Sequence, residues 1–450
     1  MHSNTNDMTI GTPWKVITIF AIPILLSNLF QQLYNSADSL IVGNFLGKQS
    51  LAAVSSSGNL IFLFTSFFIG TSMGAGIVIA RYFGSKDYVN MSKAIHTGVA
   101  TGIVASIIVT IIGVSFAPTV LKWMGTAEDV LPESITYFRY YFLGISGVIM
   151  YNTFNGILQA IGNSRRPLYY LIFSSILNIL LDLLFVGVFK MGVSAAAIAT
   201  SISQVTSSIL CFLFLIKEGT IYQIKIKEIR FHKDIFIQII KYGMPSGIQN
   251  SVIALANVIV QSNINSFGSD AMAGCGSYSK LEGFAFLPIT CFTMAITTFV
   301  GQNLGAKEYQ RAKTGSRFGI IASIVIAEVI GLIMYILAPY LIALFNKDLE
   351  VVKIGTEQCR TVSLFYFLLA FSHCIAAVCR GAGKAFVPML IMLLVWCLLR
   401  IIYITIIMNY IHEIKYLFYA YPITWAISSI IYFIYYNFCD WMHGFERDII

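Results

Sequence analysis

The chain has 450 residues, of which 57% are hydrophobic and only 11% are charged. A soluble protein carries about 25% charged residues, and a soluble core of this size would need far more polar cover. Composition therefore excludes a soluble enzyme, a nucleic-acid-binding protein and a disordered chain. The net charge of +8 comes from basic residues scattered between apolar stretches, a pattern that reports topology in a membrane protein.

Long apolar stretches alternate with short polar ones from Val16 onward. About 20 apolar residues span a bilayer as a helix. A single spanning segment must be helical, because lipid cannot form hydrogen bonds with exposed backbone N–H and C=O groups. The sequence lacks the alternation of a membrane barrel, and we expect no cleaved signal peptide at its polar start. It predicts twelve spans, near residues 16–43, 51–80, 94–116, 134–159, 168–189, 193–216, 236–266, 272–300, 318–338, 358–379, 388–409 and 415–437.

The chain divides into two similar halves. A basic connector, 217–234, separates an N-terminal lobe, 1–216, from a C-terminal lobe, 235–450, and each lobe holds six predicted spans. A shift of 221 residues places Ala117-Pro118 on Ala338-Pro339 and Arg139 on Arg360, and a shift of 222 places Pro23 on Pro245. Because six is even, both halves insert in the same orientation, as a parallel repeat that suits alternating access by rocking of two bundles. The predicted fold is an all-α polytopic membrane protein with two six-helix bundles.

The basic residues also predict an orientation. Most of the 29 lysines and arginines fall on one side of the predicted membrane, together with both chain ends. The positive-inside rule places that side, with both termini, in the cytoplasm. The connections on the opposite side are acidic instead: Glu128, Asp129, Glu133, Asp348, Glu350 and Glu357.

Polar side chains inside predicted spans mark candidate functional sites, because they are costly in a membrane. The acids in spans are Asp38, Asp182, Glu282 and Glu328. Three spans of the first half also carry polar residues at helical spacing, so that each stripe shares one face. The stripes are Tyr34, Asn35 and Asp38 in span one; Asn152, Asn155 and Gln159 in span four; and Ser174, Asn178 and Asp182 in span five.

If these stripes converge, two carboxyl groups and several amides share a pocket of low dielectric constant. Two carboxylates that are close together cannot both ionise without cost, which makes a proton site. With both ionised, the oxygens of Asp38, Asn178 and Asp182 would instead suit a hard monovalent cation such as sodium. The alternative interpretation is that each polar group only forms a hydrogen bond with a neighbouring helix.

The acidic cluster is absent from the second half. The repeat places Val260 at the position of Asp38 and Tyr403 at that of Asp182. The isolated charges of this half are Lys280, Glu282, Glu328 and Arg400. Either structural ion pairs or a place on a substrate surface would explain them. We therefore expect the coupling chemistry in the first half, with Asn155, Lys280, Glu282 and His373 as candidates for a substrate surface.

Two further features concern bending and metals. Pro23 lies inside span one, where proline removes a backbone hydrogen bond and favours either a functional bend or a static kink. The eight cysteines and six histidines show no zinc-binding spacing, so we expect the thiols to be apolar packing residues. No cofactor is predicted other than the coupling ion.

The sequence resembles the multidrug and toxic compound extrusion (MATE) family over nearly its whole length. The motifs that carry the resemblance are NSADSLIVGNFLG at 35–47, LAAVS at 51–55, VGQNLGAKEYQRAK at 300–313 and CRGAGKAFVP at 379–388. The resemblance is closer to the DinF-type branch than to the NorM-type branch, because the segments SGIQNSVIALANV and YFLLAFSHCIAAV contain no acid where the NorM-type pattern has one.

The resemblance to the DinF-type branch implies roles for individual residues. It implies coupling-ion binding by Tyr34, Asp38, Asn152, Asn178, Asp182 and Thr200, and bending at Pro23. It also implies export of cationic amphipathic drugs by proton or sodium antiport, with small organic cations as partners in the lipid bilayer.

We therefore interpret the chain as a secondary antiporter that acts as a monomer in a cell membrane, a bacterial inner membrane by preference. One alternative keeps the architecture and changes the cargo to a lipid-linked or other amphipathic metabolite, which the basic Lys280 and Arg400 favour weakly. A second alternative, an integral membrane enzyme, lacks an HExxH motif, an assembled Ser/His/Asp arrangement and a P-loop.

Overall fold

A computed structural model describes residues 7–445 except 124, 125, 127 and 129, and leaves out the side chains of residues 48, 55, 56, 59 and 63. The regular secondary structure of this part of the chain is helical, with no strand. Asp129, one of the acids predicted for the outer connections, lies outside the described residues.

The first half of the chain forms helices at each of its six predicted spans. They are α1 (Pro13–Phe45), α2 (Lys48–Gly84), α3 (Tyr88–Trp123), α4 (Leu131–Leu143), α5 (Ile145–Ala160), α6 (Arg165–Asp182) and α7 (Val193–Leu215). The predicted fourth span is therefore divided into α4 and α5 at Gly144. The predicted fifth span continues beyond α6 as a π-helix, Leu183–Val188.

The second half repeats this order. Its helices are α8 (Lys233–Asn265), α9 (Ser269–Gly305), α10 (Tyr309–Ala343), α11 (Leu349–Ser363), α12 (Tyr366–Gly381), α13 (Phe386–Met392), α14 (Arg400–Tyr410), α15 (Ile414–Phe418) and α16 (Ala420–Phe438). A π-helix, Leu393–Leu399, joins α13 to α14. A shift of 221 residues brings the bounds of α5 onto those of α12, so the internal repeat of the sequence is also a repeat of structure.

Nine helical stretches among the described residues are long and apolar enough to cross a membrane, or ten if the bent pair α11 and α12 counts as one span. The two other predicted spans correspond to α4 with α5 and to α8. The helices α4 and α5 have only 13 and 16 residues, so neither reaches the length of a span alone. The helix α8 has the length but carries lysine, aspartate, glutamine and asparagine side chains that lower its hydropathy.

The helices group into two compact units. Unit 1 comprises Met1–Asp7 and Leu26–Gly247, and unit 2 comprises Met8–Leu25 and Ile248–Ile450. The core of unit 1 includes the stacked rings of Phe138 and Phe142. One core of unit 2 forms where Met8 and Phe20 pack with Phe299. The helices α1 and α8 each begin in one unit and end in the other.

The connector between α7 and α8 docks on α3 through His96. This imidazole is 1% exposed; its Nδ1 lies 2.7 Å from the carbonyl oxygen of Ser92, and its Nε2 lies 3.0 Å from the backbone nitrogen of Lys225. A carbonyl can only accept a hydrogen bond and a backbone N–H can only donate one. His96 is therefore neutral, with its proton on Nδ1 and a free acceptor at Nε2. A second contact forms where the backbone N–H of His232 donates to Thr97 Oγ1 at 3.2 Å.

We expect the imidazole of His96 to hold the connector on α3, because its Nε2 accepts the hydrogen bond from the backbone N–H of Lys225. Loss of this acceptor removes one of the two contacts and should expose the backbone of the connector. Hydrogen–deuterium exchange of residues 222–232, measured at one pH, should therefore be faster in His96→Ala than in the unmodified chain.

A matched variant identifies the acceptor as the cause. His96→Gln keeps an acceptor near the position of Nε2 and should retain most of the protection that His96→Ala loses. Equal protection of residues 222–232 in His96→Ala and in the unmodified chain would contradict this account.

Candidate functional site: a buried carboxyl pair in unit 1

Two acids of the first half meet inside unit 1. Asp38, on α1, is 8% exposed, and Asp182, the last residue of α6, is fully buried. Their charges act on one another, and their side chains are close enough to share a hydrogen bond when one carboxyl group is protonated. The expected convergence of span one and span five therefore takes place.

The oxygens of this pocket lack donors. Among the described residues, no group donates a hydrogen bond to Oδ1 of Asp38, to either carboxylate oxygen of Asp182 or to Oδ1 of Asn178, and all four atoms are buried. An ionised carboxylate and an amide oxygen are acceptors only, and burying them without a partner is costly. The arrangement fits a cation, either a proton shared by the carboxyl groups or a hard ion held by oxygen ligands.

Neighbouring polar groups orient this cluster. The amide Nδ2 of Asn178 lies 3.4 Å from Thr200 Oγ1, which joins α6 to α7 and leaves the amide oxygen of Asn178 free for the pocket. Gln204, also on α7, donates from Nε2 to the hydroxyl of Tyr34 on α1 at 3.0 Å. Tyr34 is one helical turn before Asp38. Five of the predicted ion-site residues, Tyr34, Asp38, Asn178, Asp182 and Thr200, therefore belong to one cluster.

The amides of α5 behave differently. Asn152 donates from Nδ2 to the carbonyl oxygen of Val148 at 2.8 Å, and Gln159 donates to Asn155 Oδ1 at 2.9 Å. Both hydrogen bonds stay within α5. These contacts match the alternative interpretation of the stripe, in which polar groups satisfy local partners.

Several residues of the cluster were not predicted. Gln204 is one of them, through its hydrogen bond to Tyr34. Tyr137 and Tyr141 are two others, since both are near enough to Asp38 for its charge to act on them. The side chains of Ser203 and Ser207 are buried and have no hydrogen-bond partner among the described residues. A signal for span six was available: residues 200, 203, 204 and 207 have helical spacing and are all polar.

Local backbone features place the acids. The α-helix α6 ends at Asp182, and the chain continues as a π-helix. A π-helix has a wider turn and is common at functional sites. Gly144 interrupts the fourth span where α4 and α5 meet α7; a Cβ atom there would lie 1.9 Å from Ser201 Oγ. The absence of a side chain at Gly144 thus lets α7, which carries Thr200 and Gln204, approach closely.

The charges of the second half occupy separate places in unit 2. Lys280 is exposed, with its Nζ 5.7 Å from the centre of the Phe345 ring. Glu328 accepts a hydrogen bond from the backbone N–H of Phe367 at 3.3 Å, in the first turn of α12. No ion pair within 4.0 Å involves Lys280 or Glu328 in the part of the chain that the structure describes.

The remaining candidates of the second half lie among aromatic rings. His373 contacts Phe286 and Trp396 edge to face, with ring centres 5.0 Å and 5.2 Å apart. Glu282 accepts a hydrogen bond from the hydroxyl of Tyr278 at 3.0 Å. Of the four residues predicted for a substrate surface, the structure therefore places Glu282 and His373 among buried aromatic side chains of unit 2.

A transition-metal site is not formed by the described residues. They contain no group of three or more histidine, cysteine, aspartate or glutamate side chains that could hold a metal ion. Six of the eight cysteines are buried, and none forms a disulfide.

Comparison with known proteins now identifies the chain. The sequence model of the MatE family matches residues 23–184 and 245–411, which is more than half of the chain and includes both repeats. The chain belongs to the MATE family. It is a multi-pass membrane transporter of that family and not an enzyme, and the predicted all-α fold of two six-helix bundles is confirmed.

Relatives support the same assignment over the full length. The chain is 28% identical over 433 residues to the "Probable multidrug resistance protein YoeA" of Bacillus subtilis, with 94% of each chain covered. It is 21% identical to the "Multidrug export protein MepA" of Staphylococcus saprophyticus, with 82% of each covered. A solved structure of a "multidrug resistance MATE family transporter" in an outward-facing conformation has the same fold, with a TM-score of 0.90, 22% identity and coverage of 100% and 99%.

The hydrogen bond between Gln204 and Tyr34 should stabilise unit 1. Tyr34→Phe leaves the buried amide of Gln204 without its partner, which we expect to cost about 1–3 kcal/mol of unfolding free energy. Adding Gln204→Leu removes the unpaired amide as well, so the double variant should be less destabilised than the sum of the single variants. Thermal unfolding of the four proteins in detergent measures this coupling, and strictly additive effects would contradict it.

Proposed function

We propose that this MATE family protein is a secondary active antiporter that exports cationic amphipathic drugs and other toxic organic compounds in exchange for protons or sodium ions. The observation that carries the proposal is the buried pair of Asp38 and Asp182. Among the described residues, Oδ1 of Asp38 and both carboxyl oxygens of Asp182 are buried without a hydrogen-bond donor. The names of two relatives, a multidrug resistance protein and a multidrug export protein, support the substrate class.

The pocket couples transport to an ion gradient through differential binding. A ligand shifts a conformational equilibrium only if it binds one state better than the other. A cation that enters from outside and binds between Asp38 and Asp182 removes the cost of the buried negative charge in the loaded state. This loading favours release of the drug to the outside, and loss of the cation to the cytoplasm resets the carrier.

The identity of the ion follows from how the oxygens are used. If the carboxyl groups share one proton, Asn178 and Thr200 act as a polar second layer. If both carboxylates are ionised, Asp38, Asn178 and Asp182 supply oxygen ligands to sodium. The proposed residues match the pattern of the DinF-type branch, to which we assign the chain.

Pro23 is proposed as a bending point rather than as part of the ion site. It lies fifteen residues before Asp38 on α1, which corresponds to roughly 22 Å along a helix. A solved relative described as a MATE protein "in the bent conformation" has a TM-score of 0.91 to this chain, at 22% identity. The proposed setting is a bacterial inner membrane, with both termini in the cytoplasm and the protein acting as a monomer.

Loss of the Asp38 charge should abolish coupling. We expect Asp38→Asn to reduce gradient-driven export of a fluorescent cationic dye from proteoliposomes by about tenfold or more, because the favourable binding difference for the cation is lost. The matched control is Glu328→Gln, which removes an acid from a predicted span outside the pocket and should leave ion coupling intact. Undiminished gradient-driven export by folded Asp38→Asn would overturn the assignment of the site.

The same vesicles determine the ion. Proton and sodium gradients are imposed separately on the unmodified chain, and the gradient that drives dye movement identifies the coupling ion. Drug transport that responds to neither gradient would contradict antiport by either ion.

A further inference from the structure

The second repeat replaces the polar pocket of the first with aromatic rings. A shift of 221 residues places Tyr421 at the position of Thr200 and Trp425 at the position of Gln204. The two substituted rings contact each other in unit 2, with centres 6.0 Å apart. The same scaffold therefore holds a different chemistry in each half.

A buried arginine lies against one of these rings and against a third ring, that of Trp396. Arg400 is 2% exposed, and its guanidinium lies 4.7 Å from the centre of the Tyr421 ring and 5.4 Å from that of Trp396. Its Nε and Nη2 donate to Thr424 Oγ1 at 3.3 Å and 2.8 Å. Arg400 directly follows the π-helix that joins α13 to α14, just as Asp182 directly precedes the π-helix of the first half.

The acid of this cluster is Glu282. Its carboxylate accepts from Tyr278, whose hydroxyl lies 3.0 Å from that of Tyr366. The centre of the Tyr366 ring lies 6.2 Å from that of Trp425. Trp425 in turn contacts the ring of Tyr421, and the guanidinium of Arg400 lies over the Tyr421 ring. Glu282 and Arg400 are not in direct contact within 4.0 Å in the described part, but each charge acts on the other.

The two halves therefore balance their buried charge differently. Neither half has an ion pair within 4.0 Å at these acids among the described residues, so the halves differ in the groups that share each cluster. In the first half, the two carboxyl groups lie together with amide and hydroxyl side chains. In the second half, one carboxyl group shares its cluster with an arginine, which stays protonated in proteins. Because an unpaired buried charge is costly, the first half needs a cation from solution and the second half does not.

We propose that Arg400 is a resident cation: it supplies to Glu282 the positive charge that the acids of the first half take from the coupling ion. The second repeat is thereby held neutral without binding an ion, and only one of the two repeats responds to the gradient. This inference rests on the proposed antiport function, because it explains why coupling is confined to one half.

The test follows thermal unfolding of the purified full chain in detergent, so it does not depend on drug transport. The starting protein is Asp38→Asn/Asp182→Asn, in which the first-half acids are removed. We compare its Tm in sodium chloride and in choline chloride at equal ionic strength, and at pH 8 and pH 6. The other ionisable groups that face Glu282 are Tyr278, Tyr366, Tyr421 and Cys359, which do not gain charge in this range.

Removal of the resident cation should create a cation response. The Tm of the starting protein should be the same in sodium chloride and choline chloride, and at pH 8 and pH 6. A shift that its Glu282→Gln derivative also shows comes from other groups and is subtracted. Adding Arg400→Met should make sodium or acid raise the Tm by about 3 °C, since a cation that binds only the folded state stabilises it. Adding Glu282→Gln to that variant should remove the response, and Arg400→Lys, which keeps the charge, should show none.

Several results would overturn the proposal. A folded Arg400→Met variant without any cation response would do so, as would a response that survives Glu282→Gln. If Arg400→Met fails to fold, recovery of folded protein on adding Glu282→Gln supports the charge balance. If Glu282→Gln alone folds but its combination with Arg400→Met does not, Arg400 is needed for a reason other than Glu282, and the proposal is wrong.

Discussion

The burial of two carboxyl groups side by side is the constraint on which the rest of this transporter depends. Asp38 and Asp182 are buried in unit 1, and among the described residues no basic side chain lies within 4.0 Å of either carboxyl group. Such a pair is stable only if a cation joins it, as a proton or as an ion held by oxygens. In the proposed antiport mechanism, binding of a cation at this pair supplies the difference in free energy between states that coupling requires.

The surrounding helices are adapted to this pair. The side chains of Asn178 and Thr200 bond to each other rather than to the acids, which leaves the acceptor oxygens of the pocket free. The side chain of Tyr34 is held by Gln204 and not by Asp38. The amide groups of Asn178 and Gln204 thus donate to hydroxyl groups rather than to the acids. In the proposed mechanism this leaves the carboxyl groups available to the coupling ion.

The sequence predicted the helices and the acids better than the details between them. Long apolar stretches were sufficient to predict the position of every span, and polar stripes at helical spacing were sufficient to predict that Asp38 meets Asp182. Both predictions depend on the helical period of the sequence and on the cost of burying a polar side chain in the membrane. The breaks at Gly144 and at Leu364–Phe365, and the two π-helices, leave no such periodic signal. They depend on close packing, as between Gly144 and Ser201, that only the folded structure contains. The pattern also does not settle the role of Asn152, whose amide nitrogen donates within its own helix, so its place in the ion site stays a prediction.

The repeat also relates the prolines of the two helices that pass from one unit to the other. Pro23 and Pro245 occupy equivalent positions in α1 and α8, and each lies two residues before the point where its helix passes from one compact unit to the other. A proline lacks the N–H that would bond to the carbonyl four residues earlier, so a helix bends there at lower cost. On α1, Asp38 lies beyond the proline in unit 1, whereas Phe20 lies before it in a core of unit 2. The helix that carries Asp38 is thus one of the two helices that begin in one unit and end in the other.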